Sequence, residues 1–487
     1  MALLKGEPMR LVVLILAVVL ALQAFAANVG WRMDGTGLFP KATPPASWGA
    51  AENVAWATEL PNWSNASPVL VGDRIFVCAE PTTLLCLDRA GKILWQRTNS
   101  HEDILTTEQK AVLDAERAKM APLDQKDGEL WRAMNNLQRE QRQAEKELKD
   151  KPEDADLKAK VDKCKVDLEA LKPQMTEVKA QKQLLPLAEQ YRMPITHPTN
   201  GYSSNTPVSD GKHVWVVFGT GMVACYTLDG TRVWARIVEK PTHGWGQSGS
   251  PVLVGDTLIF QLIQAYGVDA KTGAERWKRS IGHVWGTPQP ARIGNLAVVV
   301  TDTGDVLNVA DGAVLGSTKM RLEYGSYLVL GDTIYGATSP NAAVFKLSLG
   351  ADGALLVTKL WQTPLLAAPP RDNRYYGSPL VVDGLMYVAN HEGNLSVFDV
   401  ATGEKKYEQP LKLGGCIYPS PTLCGTGIVI GSESGKAVIF TPGATYQEVA
   451  RPALESFRSC PVADGKRLYI RTCNGGKSKL YCFEAAQ

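Results

Sequence analysis

Charge of one sign, adjacent cysteines and a second long apolar run are all missing from this sequence of 487 residues. The formal net charge is +2, from 52 basic and 50 acidic side chains, so nothing argues for nucleic acid or an anionic membrane surface. Cysteine is sparse, nine residues with no two adjacent, which excludes a small disulfide-stapled scaffold. No Ser-His-Asp order, phosphate-cradling glycine loop or zinc spacing is found. Beyond residue 26 no stretch is apolar enough to span a bilayer, which excludes a multi-span membrane protein. A hydrophobic share of 45% and a charged share of 21% are globular values and exclude collagen-like or disordered chains.

The first residues form an export signal. Lys5 and Arg10 precede an unbroken apolar run over residues 11–22, and Ala24-Phe25-Ala26 offers the small residues a signal peptidase reads. Cleavage after Ala26 is expected, leaving 1–26 as a signal peptide and the remainder soluble in the periplasm or outside the cell. No cysteine follows the apolar run, which argues against a lipid-modified N-terminus. In such a compartment disulfides are permitted, and Cys78–Cys86, Cys473–Cys482 or Cys460–Cys473 are open pairings.

What fills the chain is a repeat. Each unit opens with Ser or Thr before Pro and turns at Gly-Asp or Asp-Gly. It closes near Asp-x-x-x-Gly with an aromatic. The clearest copy opens at Ser67-Pro68, turns at Gly72-Asp73 and closes through Asp88 and Gly91 at Trp95. Others open at Thr206, Ser250, Thr287, Ser326, Ser378 and Ser420, and an eighth opens where Ser459 and Pro461 flank Cys460. Four short strands per unit at a period of ~40 residues is the signature of a β-propeller. The eighth unit runs short of a fourth strand, and residues 53–58, around Trp56, match residues 92–97 around Trp95. The expected fold is an all-β, eight-bladed β-propeller over 27–98 and 197–487, closed by an N-terminal strand. Seven blades is the alternative.

The Ala/Val-x-Asp-x-x-x-Gly-x-x-x-Trp type of ending, seen as Asp269, Gly273 and Trp277, together with the Ser-Pro openings, resembles the repeats of pyrroloquinoline quinone (PQQ)-type propellers. That family includes quinoprotein dehydrogenases and the non-enzymatic BamB-like propellers of outer-membrane assembly. Trp31, Gly35-Thr36-Gly37, Pro40, Trp48 and 53–56 resemble the leader of exported members. The resemblance covers roughly 31–98 and 197–483 and implies fold more than activity, because the motif's Trp and Gly are structural. It implies either a non-catalytic scaffold that binds protein partners or a PQQ-dependent dehydrogenase. The dehydrogenases use adjacent cysteines, acidic and amide ligands for Ca²⁺ and a catalytic Asp. This chain has no Cys-Cys pair, although the loops Asn390-His391-Glu392 and Ser432-Glu433-Ser434 carry cation-type donors. The scaffold is therefore expected, with no cofactor; PQQ with Ca²⁺ belongs to the alternative. BamB-like members are typically lipid-anchored, and this chain departs from them there and in an insertion.

The insertion, over 99–196, loses Gly and gains Lys, Glu, Gln, Ala and Leu. Met120, Leu123, Leu130, Met134, Leu137, Ala144 and Leu148 recur at intervals of three and four, with Asp127 and Gln141 as polar exceptions. After Lys151-Pro152 the rhythm restarts at Leu157, Val161, Cys164, Leu168, Leu171, Met175 and Val178. This predicts an antiparallel coiled-coil hairpin, with breaks or kinks at Pro122 and Pro173. Its balanced charge excludes a nucleic-acid arm. The hairpin is expected to be either a spacer or an arm that docks protein partners or a second copy, so partners are expected through the funnel face or this arm.

An aromatic precedes most blade openings: Trp63, Tyr202, Trp245, Trp285, Tyr324, Tyr376, Tyr418 and Phe457. The first seven are the candidate ligand- or partner-binding residues at the mouth of a central funnel. His243 and His283 echo each other before Trp245 and Trp285, but no third ligand has diagnostic spacing, so no metal site is expected. No catalytic residue is identified.

Overall fold

A computed structural model describes residues 28–473 and 476–485. The expected signal peptide, 1–26, lies outside the described residues. The chain divides into two compact units, His101–Met193 and the β-rich chain on either side of it in sequence. Among the described residues no helix is long and apolar enough to cross a membrane.

Among the described residues the β unit holds eight sheets, antiparallel apart from one added edge strand. In chain order they occupy 69–98, 208–237, 252–280, 289–317, 328–364, 380–410, 422–450 and 462–484, numbered here as blades one to eight. Blade seven takes a fifth strand, Leu38–Phe39, which pairs in parallel with Thr422–Cys424 at its inner edge. Blade eight has three strands from the C-terminal end and a fourth, Val54–Leu60, from the N-terminal end, in the register Trp56↔Cys482. The middle strands of the blades are buried, as in Arg74–Ala79 and Thr83–Asp88, whereas the outer strands are exposed or half-buried, as in Glu275–Ser280 and Lys405–Pro410. Sheet packs on sheet through Val, Ile, Leu and Tyr, as with Leu70, Ile75 and Val77 of blade one against Val462 and Tyr469 of blade eight.

Two repeated devices join the blades. The first is at the outer strands. Trp56, Trp95, Trp234, Trp277 and Trp361 each donate their indole N–H to a carbonyl of the next blade, at 2.7–3.1 Å. The same rings cover Gly91, Gly230, Gly273, Gly312 and Gly403, where a Cβ would sit 2.5–2.7 Å from indole or neighbouring ring atoms and where φ is +69° to +87°. Only glycine meets both conditions, left-handed backbone and a ring laid on the Cα.

The second device is at the axis. Ser67 donates its backbone N–H to Thr206 Oγ1, Thr206 to Ser250 Oγ, Ser250 to Thr287 Oγ1, and Thr287 to Ser326 Oγ. Ser326 donates to Ser378 Oγ, Ser378 to Ser420 Oγ, Ser420 to Cys460 Sγ, and Cys460 back to Ser67 Oγ. The eight bonds, 2.7–3.3 Å long, form a closed ring that visits every sheet once. The small polar residue that opens each repeat is thus the acceptor for the preceding blade's buried N–H, a group that is costly to leave unpaired.

The helical unit holds α1 (Thr107–Asp150) and α2 (Ala155–Gln183). Thr106 and Gln109 form a capping box at the start of α1, and Asp154 accepts two backbone N–H groups at the start of α2. Four residues separate the helices. The apolar stripes are buried or half-buried, with Met120, Leu130 and Ala144 facing inward on α1 and Val161, Cys164 and Val178 on α2. Asp127, a polar exception in the stripe, pairs with Lys182, which also binds Asp124 at 3.0 Å. The expected breaks at Pro122 and Pro173 do not occur: both helices run through their prolines. A proline forfeits one backbone bond, and the intact turns on either side together with the packed partner helix outweigh that loss.

All nine cysteines are free thiols, so none of the three open pairings forms. Cys78 stands opposite Leu84 and Cys86 opposite Phe76, and Cys482 lies between Trp56 and Tyr469. Burial pushes the Cys78 and Cys424 thiols up to about 12, which keeps them protonated and inert.

Candidate functional site

The loops entering the innermost strands surround a cavity of about 430 Å³ whose wall includes all eight members of the hydrogen-bonded ring. Of the seven aromatic residues singled out in the sequence, Trp245, Trp285, Tyr324, Tyr376 and Tyr418 line it. Trp63 and Tyr202 do not. Half-buried Glu80 holds their loops instead: its carboxylate accepts the N–H groups of Tyr202 and Ser203 and the Ser203 hydroxyl, at 2.6–3.0 Å. Glu80 N donates to Trp63 O, and the Tyr202 phenol is spent on Pro194 O at 2.6 Å. Phe457 is buried against Gly431 and likewise leaves the wall.

Four of the lining aromatics form a continuous arc, while Trp245 is half exposed and stacks on His197 at 4.0 Å. Ring centroids are 5.8 Å apart for Trp285–Tyr324, 5.1 Å for Tyr324–Tyr376 and 4.9 Å for Tyr376–Tyr418. At one end His243 and His283 sit 4.3 Å apart, beside Trp285. At the other, the Arg458 guanidinium lies over Tyr418 at 5.1 Å, and Arg374 lies over Tyr376 at 6.0 Å and donates to its hydroxyl at 2.8 Å. Arg458 also bonds Thr199 O and Glu433 Oε2, and Arg374 chelates Asp372. Burial pushes the Tyr324, Tyr376 and Tyr418 phenols up, so they stay protonated donors at neutral pH. Burial, with the neighbouring charges of His243 and Arg321, holds the His283 imidazole down and neutral.

Trp31 also reaches the cavity. Its segment threads the axis. Val29 bridges Ser209 of blade two, Asn28 Nδ2 donates to Leu253 O of blade three, and Arg32 donates to Pro379 O and Pro421 O of blades six and seven at 2.9 and 2.8 Å. The Arg32 guanidinium is fully buried and held down to about 10 by desolvation, still charged at neutral pH. Arg374 and Arg458 escaped the sequence reading, and Trp31 escaped it as a lining residue, because no other blade carries the same residue type at the equivalent place. The one signal was adjacency: Arg374 lies two residues before Tyr376, and Arg458 follows Phe457.

One acid stands behind the wall. Asp302 is fully buried, and a Cβ on the lining residue Gly286 would overlap its carboxyl. Its Oδ2 accepts from Gln261 Nε2 at 3.3 Å, while its Oδ1 has no partner. Desolvation raises its pKa well above the ordinary carboxylate value. A raised folded pKa means that any stability the group adds is present at low pH and is lost as pH rises through the folded value. Asp302→Asn is therefore expected to match the native chain in melting temperature near pH 4 and to exceed it progressively towards pH 8. Equal melting at every pH would show that the buried carboxyl carries no such penalty.

A family model described as outer membrane protein assembly factor BamB matches residues 19–152, 195–353 and 285–487. The chain belongs to the BamB family. Two curated BamB proteins, from Moranella endobia and Xanthomonas campestris pv. campestris, are 25% identical over 233 residues and 27% identical over 227. Those matches cover 43% and 42% of this chain, and 58% and 50% of the relatives. The chain therefore spans little more than half the length of the BamB proteins it matches. The crystal structure of BamB from Moraxella catarrhalis aligns with a TM-score of 0.51 at 13% identity, covering 89% of this chain and 99% of that one. A europium-containing methanol dehydrogenase aligns with a TM-score of 0.53 at 10% identity, covering 92% and 96%. Both likenesses establish the propeller-type fold and nothing of the chemistry.

The BamB-family site does not fit PQQ with Ca²⁺. No two cysteines are adjacent, and among the described residues no three His, Cys, Asp or Glu side chains come together. Of the two loops with cation-type donors, Asn390 is spent on Asn373, Glu392 N and Asn394, and Glu433 is spent on Arg458 and Cys416 N. Asp302 is walled off behind Gly286.

Proposed function

We propose that the chain is an exported, non-catalytic scaffold of the bacterial cell envelope that takes part in outer-membrane protein assembly, needs no cofactor, and docks protein partners at its funnel mouth. Family membership and the export signal support the setting. The observation that carries the docking reading is the arc Trp285–Tyr324–Tyr376–Tyr418, closed by Arg374 and Arg458 around a cavity of about 430 Å³. Aromatic and arginine side chains at a concave, ordered surface are the groups that dominate protein-binding energetics.

In the test, envelope extracts are cross-linked to the purified chain and to a Tyr376→Ala/Tyr418→Ala variant. Partner capture is expected to fall at least tenfold, because losing two aromatic anchors costs ~2 kcal/mol or more. Undiminished capture would move the docking surface elsewhere. Titration with PQQ and Ca²⁺ is expected to give neither a saturable absorbance change nor dye-linked alcohol oxidation; turnover in that assay would make the chain an enzyme.

A further inference from the structure

The mouth of the cavity is furnished to donate hydrogen bonds. Its wall contains Arg374, Arg458, His243, Tyr324, Tyr376, Tyr418 and the hydroxyl ring, and among the described lining residues there is no carboxylate. The two acids that pair with the arginines, Asp372 and Glu433, stand outside the wall. A guanidinium carries five N–H donors. Arg374 commits one from each nitrogen, to Asp372 and Tyr376, and Arg458 commits one from each Nη, to Thr199 and Glu433. Both therefore have donors to give. Tyr376 Oη receives the Arg374 N–H and keeps its own proton for another acceptor.

The aromatic faces do not form a cage for a cation. Tyr376 and Tyr418 stack on each other, and a guanidinium already lies over each ring. A cationic ligand would meet occupied faces and two like charges. What the arginines and tyrosines offer instead is N–H, O–H and the positive rims of aromatic rings, all of which favour an anion, while Asn65 Oδ1 on the same wall is an acceptor without a partner. The cavity is larger than a lone anion requires, and Trp285 with Tyr324 continues it as an apolar wall.

We infer that the funnel mouth binds an acidic peptide segment, its side-chain carboxylate held by Arg374 and Arg458 and a neighbouring aromatic side chain lying against Trp285 and Tyr324. This deepens the scaffold reading above and rests on it for the peptide nature of the ligand. Charge selects the segment, and the aromatic wall fixes its register. The ion pairs to Asp372 and Glu433 keep the arginines extended before the ligand arrives, so little side-chain entropy is lost on binding.

The experiment is a calorimetric titration of the full chain with two blocked pentapeptides, acetyl-Glu-Phe-Asp-Phe-Gly-amide and its Gln/Asn counterpart, and with maltohexaose. The acidic peptide is expected to bind at least tenfold more tightly than the amide counterpart, the difference made by a charge-assisted hydrogen bond or two. Arg374→Gln and Arg458→Gln should each erase most of that preference, so that in either variant the two peptides bind within a factor of about two of each other. Raising salt from ~50 to ~300 mM should weaken the acidic peptide selectively. Equal binding of the two peptides, survival of the preference in both variants, or binding of maltohexaose alone overturns the inference. The peptide comparison uses the unaltered protein, so a variant that fails to fold leaves the question decidable. Loss of acid preference with partner capture intact sinks this inference alone; absence of any captured partner sinks the scaffold reading instead.

Discussion

Arg471→Leu is expected to lower the stability of the β unit by about 3 kcal/mol or more, read as a shifted midpoint in urea unfolding followed by tryptophan fluorescence. Arg471 sits on blade eight, fully buried, and its guanidinium bonds Cys78 O of blade one, Asn62 O before blade one, and Ser478 Oγ of its own blade. Removing it strands two buried carbonyls at the seam where the last blade meets the first. Burial holds the guanidinium down to about 10, so it is charged throughout the physiological range, and its charge is spread over carbonyl oxygens with no carboxylate bonded to it. Lysine is expected not to rescue the loss, since an ammonium cannot span carbonyls from two separate segments as a planar fork does. A midpoint unchanged by Arg471→Leu would mean that the seam is held by apolar packing alone.

The second large effect concerns the strand Val54–Leu60. A chain lacking residues 28–60 is expected to run in size-exclusion chromatography at a larger apparent size than the native chain, or to aggregate. Ser478–Glu484 would then present an unpaired edge, a template for pairing with another chain. The truncation also removes Trp56, whose indole bonds Arg89 O and packs against Gly91 and Tyr469, a loss of ~3 kcal/mol or more by itself. It removes Arg32 and Trp31 from the axis as well. The single substitution Trp56→Ala separates the contributions: it should lower the melting temperature while leaving the elution volume that of the native chain. A truncated chain with native-like elution and an unchanged melt would show that blade eight is stable with three strands.

Much of this architecture was legible in the residues because repetition makes a weak signal strong. One Ser-Pro or one Asp-x-x-x-Gly means little, whereas eight openings at similar spacing specify a ring, and the likeness of residues 53–58 to 92–97 supplied the missing strand. The two helical stripes were legible for the same reason, through their intervals of three and four. What escaped was whatever does not repeat. Arg32 and Trp31 belong to a segment that crosses the axis once, and the partners of Arg32 are backbone carbonyls some 350 residues away in sequence, as with Pro379. Arg374 and Arg458 have no arginine at the equivalent place in other blades. Trp63 and Tyr202 shared the repeated position of the lining aromatics, yet Glu80 claimed their loops. Local propensity overstated Pro122 and Pro173, because long packed helices absorb one missing bond.

The ring of small polar residues at the axis has an electrostatic consequence. Every N–H points to the next blade in the same rotational sense, so the eight bond dipoles follow one another head to tail around a loop. Vectors laid end to end around a closed path sum to nothing. Helix N-termini attract anions because their dipoles add; here they circulate, and the collar stays without a pole however many members it has. The floor of the basin is thus polar without being charged, and discrimination between ligands of opposite sign is left to the two guanidinium groups at its lip.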